Sequence, residues 1–349
     1  MDLSQWHSVH WFSFAIAFGA GLISVVILTP LAGRLGIWLG MVDTPRPGEL
    51  QRKPMARSGG YALLASFLVA IAVSLWLAPR SPAELTRILG LVVGVLLILP
   101  IAYLDDRRRL GPFPQFVGQI LVAVAAMAFG LVINDVANPF GGIVPLPVFV
   151  ALPFTLFWFV AMINTLNVVD TMDGLAAGIT AIAALVLFAR SVSLGQYTVA
   201  VLPIALAGVC IGFLRYNFNP ARIIMGSSGS MFLGFTLGAL ALIGGAKIAT
   251  AAFVLGLPIL DFALVIVQRS ANRRSPFQGG DSAHLPHRLI RRGLSTRRIA
   301  LLIYAVCAGG GTLAMTLNGV QKLGVILIVG IVTLFLAFRF VAVPQGHQS

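Results

Sequence analysis

The sequence predicts an all-α, polytopic integral-membrane protein of about 11 transmembrane helices, and three observations carry that expectation. Of its 349 residues, 58% are hydrophobic and only 10% are charged, against roughly 25% charged in a soluble domain. The apolar residues are grouped in runs close to the roughly 20 that a helix needs to cross hydrocarbon. Basic residues concentrate in alternate gaps between those runs.

In chain order the candidate spans lie near 11–33, 59–78, 85–104, 115–134, 144–163, 174–193, 198–214, 230–246, 248–268, 299–317 and 323–341. The first run is long and has no basic segment ahead of it, so it reads as a span and not as a cleaved leader. Hairpins break at turn formers such as Ala78-Pro79-Arg80-Ser81-Pro82, Asn138-Pro139-Phe140-Gly141-Gly142 and Leu194-Gly195-Gln196. No polar stretch is long enough to fold separately. The chain therefore reads as a single integral-membrane domain over 1–349, with a basic loop at about 269–298.

With the N-terminus outside and the C-terminus cytoplasmic, the inside gaps and tail hold 19 of the 24 Lys and Arg residues. Only Arg80, Arg87, Arg190, Lys247 and Lys322 fall on the other side. The positive-inside rule selects this orientation. The formal charge of +13 is thereby assigned to topology and anionic lipid heads, and no nucleic-acid partner is expected. Cys210 and Cys307 sit inside apolar runs, which excludes a disulfide framework or a Cys-based metal site.

Four polar clusters interrupt the hydrocarbon, all on the predicted cytoplasmic side. Asp105 and Asp106, followed by three arginines, end the third span; adjacent carboxylates can share a divalent cation or accept a proton beside one. Asn164, Asn167, Asp170 and Asp173 recur every three residues, which on a helix or helical turn makes one stripe. Their amides suit a base or sugar, and their carboxylates suit hydroxyls or metal. Gly226-Ser227-Ser228-Gly229-Ser230 reads as a flexible turn into the eighth span, an anion site or a plain helix cap, with Arg222 just before it. His284, His287 and Arg288 suit phosphate or sugar better than zinc, because no further His or Cys lies near. Asp261, inside the ninth span, should face the bundle interior, either to support the site or to touch substrate. A transporter would carry its polar residues near the bilayer midplane, which is not the pattern here.

The chain resembles the polyprenyl-phosphate N-acetylhexosamine-1-phosphate transferases of glycosyltransferase family 4, whose members include phospho-N-acetylmuramoyl-pentapeptide transferase. The resemblance runs through Val42-Asp43 with Arg57-Ser58-Gly59-Gly60, Leu104-Asp105-Asp106, Asn164 to Gly174, Tyr216-Asn217 to Gly234, Pro258 to Asp261, and Asp281 to Leu289 with Gly293-Leu294-Ser295. It implies transfer of a sugar-1-phosphate, in the first instance N-acetylglucosamine-1-phosphate, from a UDP-sugar to undecaprenyl or another polyprenyl phosphate, with release of UMP. The expected cofactor is Mg²⁺, with Mn²⁺ as the alternative. The implied location is the bacterial inner membrane, with the site on its cytoplasmic face. The family often dimerises, so a homodimer is an open expectation, although no residue marks an interface.

By the same resemblance Asp105, Asp106 and Asp170 are the catalytic carboxylates and, with Ser227, the metal positions. Asn164, Asn167, Asp173, Arg222, His284, His287 and Arg288 are the substrate-binding set. Three positions depart from the family pattern. Ser227 replaces the usual Asp of Gly-Asp-x-Gly-Ser, His284-Leu285-Pro286-His287 lacks one histidine of His-x-His-His, and Gln115 stands where a lysine is usual. A hydroxyl is a poorer Mg²⁺ ligand than a carboxylate. The alternative reading is therefore a catalytically weakened homologue that binds polyprenyl phosphate or UDP-sugar.

Overall fold

A computed structural model describes residues 3–44, 54–108, 110–243, 245, 247–271 and 284–341, with side chains left out at 3–9, 271 and 332–341. Thirteen helices follow in order among these residues: α1 (Leu3–Trp38), α2 (Gly59–Leu77), α3 (Pro82–Arg108), α4 (Pro112–Ala128), α5 (Val148–Val169), α6 (Leu175–Ser193), α7 (Tyr197–Asn217), α8 (Gly226–Leu240), α9 (Ile248–Val254), α10 (Gly256–Ala271), α11 (Leu285–Arg291), α12 (Thr296–Thr316) and α13 (Gly319–Val341). Two short antiparallel ribbons accompany them. β1 (Val42–Asp43) pairs with β2 (Met55–Ala56), and β3 (Asp135–Ala137) pairs with β4 (Ile143–Pro145).

Helices dominate because hydrocarbon offers the backbone no partner, so every N–H and C=O must bond within its own segment. Turn formers set the ends. Pro82 opens α3 after the Ala78-Pro79 break, Pro112 opens α4, and Ser295 caps α12 by accepting the Arg298 N–H. Prolines inside α1, α3, α5 and α7 are tolerated, as neighbouring helices in a bundle permit.

Seven of these helices are long and apolar enough to cross a membrane, or eight if the bent pair α9–α10 is one span. The chain is thus a multi-pass membrane protein in which each of the eleven expected spans overlies a helix. Length supports fewer crossings than eleven. The helix at the expected 115–134 span is a shorter apolar segment, and α8, over the expected 230–246 span, has 15 residues. The expected 248–268 span is broken, with α9 and α10 meeting at 77°.

Helix α8 forms the centre of the bundle. All of its residues are buried, beneath α2, α3, α5 and α6. Small residues allow this enclosure, as is usual for helix packing in lipid. A side chain at Gly234 would come within 2.5 Å of the Ile163 Cα, and one at Gly60 within 2.0 Å of the Gly229 nitrogen. Large rings fill the remaining gaps: Phe159 stacks on Phe235, Phe67 meets Phe232 edge-on, and the Trp158 Nε1–H donates to the Gly238 carbonyl at 3.1 Å.

Candidate functional site

The segment leading into α2 is zipped to the segment leading into α8. The Ile224 N–H donates to Ala56 O at 2.9 Å, the Gly59 N–H to Ile224 O at 3.0 Å and the Gly60 N–H to Met225 O at 2.8 Å. This pairing brings Arg57 over the N-terminus of α8, where it meets the end of α3.

The Asp106 carboxylate, its side chain fully buried, serves as the cap of α8. Its Oδ1 accepts the Ser227 N–H at 2.8 Å and the Arg57 Nε–H at 3.1 Å, and its Oδ2 accepts the Ser228 N–H at 3.2 Å. A carboxylate there satisfies orphan donors and suits the positive end of the helix dipole. Arg57 also donates through Nη2 to the Ser227 hydroxyl at 3.1 Å. Burial opposes the guanidinium charge, but the Asp106 carboxylate, aided by Asp43 and Asp105, holds its pKa above the ordinary value. Gly226, with φ of +75°, must be glycine, because a Cβ would lie 2.8 Å from the Asp106 Oδ1. The expected flexible turn at Gly226–Ser230 is thus the first helical turn of α8, ordered by a cap from a distant helix.

Asp105 is buried beside this cap and accepts the Gln115 Nε2–H at 2.7 Å. The third contribution comes from α5, which runs through Asn164 and Asn167 before ending at Asp170. Asn164 and Gln119 exchange amide hydrogen bonds at 2.6 and 3.4 Å. Asn167 Oδ1 accepts the Ser230 hydroxyl at 3.0 Å. Asp170 is half-buried and its carboxylate makes no hydrogen bond among the described residues. Burial pushes it up to about 8; Arg57 opposes this, and the Asp106 and Asp173 carboxylates add to it.

Asp173 has a different occupation. Its Oδ2 accepts both the Asn219 Nδ2–H at 2.9 Å and the Ala221 N–H at 3.0 Å, fixing the turn after α7. Asn217 joins the same two turns, taking the Gly174 N–H at 3.1 Å and donating to Ile223 O at 3.0 Å. The Tyr304 hydroxyl donates to Gly174 O at 2.6 Å. Arg222 is exposed at the edge, and among the described residues its backbone N–H donates to Tyr216 O at 2.8 Å.

The histidine segment packs against the end of α5, with Val168, Val169, Asp261, Leu285, Pro286 and Ile303 lining one crevice between them. His284 is buried and its Nδ1 lies 2.9 Å from the Asp261 Oδ2. Arg288 donates to Gln268 Oε1 at 2.9 Å. His287 is held below its ordinary pKa by burial, then by His284 and Arg291, against an opposing Asp261. Asp281, which opens the histidine motif, and Arg109, the last of the three arginines after Asp106, lie outside the described residues.

The predicted residues Asp105, Asp106, Asn164, Asn167, Asp170 and Ser227 are therefore gathered around one helix N-terminus. Asp173 adjoins them through the 219–221 turn, and His284, His287 and Arg288 through the crevice. Sequence reasoning underweighted Arg57 and missed the structural work of Gln115, Asn217 and Tyr304. The signal for Arg57 was the Gly59-Gly60 pair beside it, which only a close backbone approach requires.

Mg²⁺ takes oxygen ligands, commonly one or two carboxylates, with water and substrate phosphate completing the shell. Both oxygens of Asp170 and the second oxygen of Asp105 make no hydrogen bond among the described residues, so they fit such an ion. Both Asp106 oxygens are already engaged, and Ser227 offers only a hydroxyl. Among the described residues no group of three or more His, Cys, Asp or Glu side chains is placed to hold a metal, so substrate oxygens would have to supply much of the shell.

A multi-pass membrane bundle with one concentrated polar site at a helix N-terminus defines a class of protein that handles charged groups beside lipid. The family model for glycosyl transferase family 4 matches residues 88–245, from α3 to just beyond α8. The chain is 33% identical over 297 residues to a probable undecaprenyl-phosphate N-acetylglucosaminyl 1-phosphate transferase of Bacillus subtilis, covering 83% of this chain and 81% of that one. It is 36% identical over 304 residues to a decaprenyl-phosphate N-acetylglucosaminephosphotransferase of Mycolicibacterium smegmatis, covering 77% and 73%. A phospho-N-acetylmuramoyl-pentapeptide-transferase of Moorella thermoacetica is 33% identical over 262 residues, covering 69% and 78%. The chain belongs to glycosyl transferase family 4.

Proposed function

We propose that the chain transfers N-acetylglucosamine-1-phosphate, or a related hexosamine-1-phosphate, from a UDP-sugar to undecaprenyl or another polyprenyl phosphate, at the cytoplasmic face of the bacterial inner membrane. An oxygen of the lipid phosphate bonds to the sugar-side phosphorus of the diphosphate. The bond from that phosphorus to the bridging oxygen breaks, and UMP leaves with the electron pair. Both reactants are anions, so screening and alignment supply most of the acceleration.

The observation that carries this reading is the Asp170 carboxylate, without a hydrogen bond among the described residues, between the fields of Asp106 and Asp173 below the α8 N-terminus. A carboxylate in that setting fits a divalent cation. Mg²⁺, or Mn²⁺ in its place, held by Asp170 and Asp105, would neutralise phosphate charge. Gln115 fixes the orientation of Asp105, Arg57 and Asp106 set the α8 mouth, and Asn164 and Asn167 line its far side. His284, His287 and Arg288 reach the diphosphate or the sugar. The bias of Lys and Arg toward the predicted inside gaps supports the cytoplasmic orientation, and the names of the relatives support the substrates.

Ser227 favours a second reading, a homologue that binds these substrates without efficient turnover. Purified chain and its Ser227→Asp variant, assayed for UMP release from UDP-GlcNAc with undecaprenyl phosphate and Mg²⁺, separate the two. Turnover in both supports the transferase. Turnover in Ser227→Asp alone supports the weakened homologue, and no turnover in either sinks the transferase reading.

A further inference from the structure

Helices that start beside the carboxylate cluster end at a second group of charges. Helix α6 begins after Gly174 and carries Arg190 in its last turn, about 22 Å further along its axis. Helix α8 begins at the Asp106 cap, and the turn that follows it ends at Lys247, next to α9. Helix α12 runs the same way from Ser295, and Lys322 lies in the first turn of α13 just beyond it. Close packing joins these elements near their ends. A side chain at Gly311 of α12 would come within 2.5 Å of Val186 in α6 and 3.4 Å of Val254 in α9. Arg190 repels the ammonium groups of both Lys247 and Lys322, so the three cations form one cluster.

Only five Lys and Arg residues fall on this side of the predicted membrane, and three of them meet here. The other side-chain charges nearby are already matched: Arg80 pairs with Glu84, beside Thr198 at the start of α7. Among the described residues no carboxylate lies within ion-pair distance of Arg190, Lys247 or Lys322. Lys247 is the most demanding of the three, being only 5% exposed. Its ammonium has three donors, and among the described residues its single hydrogen bond goes to Ile243 O at 3.3 Å. Burial and then Arg190 push it down to about 8, which still leaves it charged at neutral pH. A buried, under-satisfied cation calls for an anion. Arg190 and Lys322 are partly exposed above it, and Leu194, Leu313 and Val320 stand exposed at the same ends of α6, α12 and α13.

We propose that Arg190, Lys247 and Lys322 bind the phosphate of an acidic phospholipid headgroup, in the leaflet opposite the carboxylate cluster. Its acyl chains lie against Leu194, Leu313 and Val320. A soluble phosphate would meet the same cations and leave that apolar surface uncovered, which favours the lipid. The headgroup joins α6, the α8–α9 turn and α13 at the end of the bundle away from the proposed reaction, so the site does not rest on the transferase reading.

The test follows the thermal midpoint of the full-length protein in a neutral detergent as phosphatidylglycerol, phosphatidylcholine or pyrophosphate is added. Phosphatidylglycerol should raise the midpoint, and phosphatidylcholine should not. Arg190→Gln, Lys247→Met and Lys322→Gln should each increase the phosphatidylglycerol needed for half of that rise about fivefold, the scale for one basic residue at an anionic surface. Arg34→Gln removes an exposed arginine near the other end, two residues before the Gly36 that approaches Ser58, and should stay within twofold of wild type. If Lys247→Met does not fold, the two partly exposed residues carry the comparison. A wild-type midpoint that ignores phosphatidylglycerol would overturn the inference. So would an undiminished response in the three variants, because the lipid would then be acting elsewhere. A rise with pyrophosphate that equals the lipid's and is lost in the same variants would overturn the phospholipid as the occupant.

Discussion

The two ends of α3 hold buried charge in opposite ways. Glu84 lies in its first turn and Asp105 and Asp106 in its last, about 31 Å apart at 1.5 Å per residue, close to one hydrocarbon thickness. At the Glu84 end cation and anion are matched, although the Arg80 Nε makes no hydrogen bond among the described residues. Arg80, 2% exposed, pairs with Glu84 and donates to Thr198 O at 2.6 Å, and the Thr198 hydroxyl donates to Glu84 at 3.2 Å. This ties α2, α3 and α7 together with one cation for one anion. At the Asp106 end Arg57 is shared by Asp106 and Ser227, and Asp170 has no hydrogen bond among the described residues. The matched end is a fastener. The other end leaves carboxylate oxygens of Asp105 and Asp170 without a hydrogen bond among the described residues.

The sharpest break of that contrast is Asp170→Asn. It should lower transfer about 100-fold or more, the scale for losing an electrostatic partner of the transition state. The thermal midpoint of the metal-free protein should stay level or rise, because the Asp106 and Asp173 fields no longer oppose a charge there. A fall in midpoint with activity intact would place Asp170 among the fasteners. Arg80→Met reverses the pattern. It should cost about 3 kcal/mol by stranding Glu84, seen as a lower melting midpoint, while activity per folded molecule is unchanged. Arg57→Met should show both effects: about 2 kcal/mol of lost stability, since Asp106 keeps two amide donors, together with slower transfer. The smallest effect concerns His287. Its folded pKa lies below its ordinary value, so its neutral form is fully stabilising above about 6.5. That contribution is lost as pH falls through the lower folded value. His287→Gln should flatten the midpoint-versus-pH curve below pH 6.5, and an unaltered slope would remove His287 from the account.

Much of this was legible in the chain. Hydrophobic runs placed a helix over every expected span, because lipid leaves the backbone no other choice. Of the expected four-residue stripe, Asn164 and Asn167 lie on α5, Asp170 is its C-cap, and Asp173 falls beyond it in the turn to α6. What could not be read was which polar residues hold the fold and which stay available. Asp106 and Asp170 look alike in sequence, yet Asp106 is consumed by two amides and an arginine 49 positions away. Asp173, expected at substrate, steadies the 219–221 turn through one oxygen. The α9–α10 break also escaped, although Gly256 and Pro258 mark it, because they lie inside an otherwise apolar run long enough for one span. Spacing reports which face a residue occupies. Long-range partners decide what is left over for it to do.

The helix that carries the three serines is buried along its whole length by the helices around it. Membrane thickness, curvature and lipid headgroup composition can reach it only by deforming the helices stacked around it, each of which would have to move as a body. Extraction into a mild detergent should therefore leave the mouth of α8 as it stands in a bilayer, and any sensitivity of turnover to lipid should trace to delivery of the greasy substrate and not to the shape of the cleft that receives it.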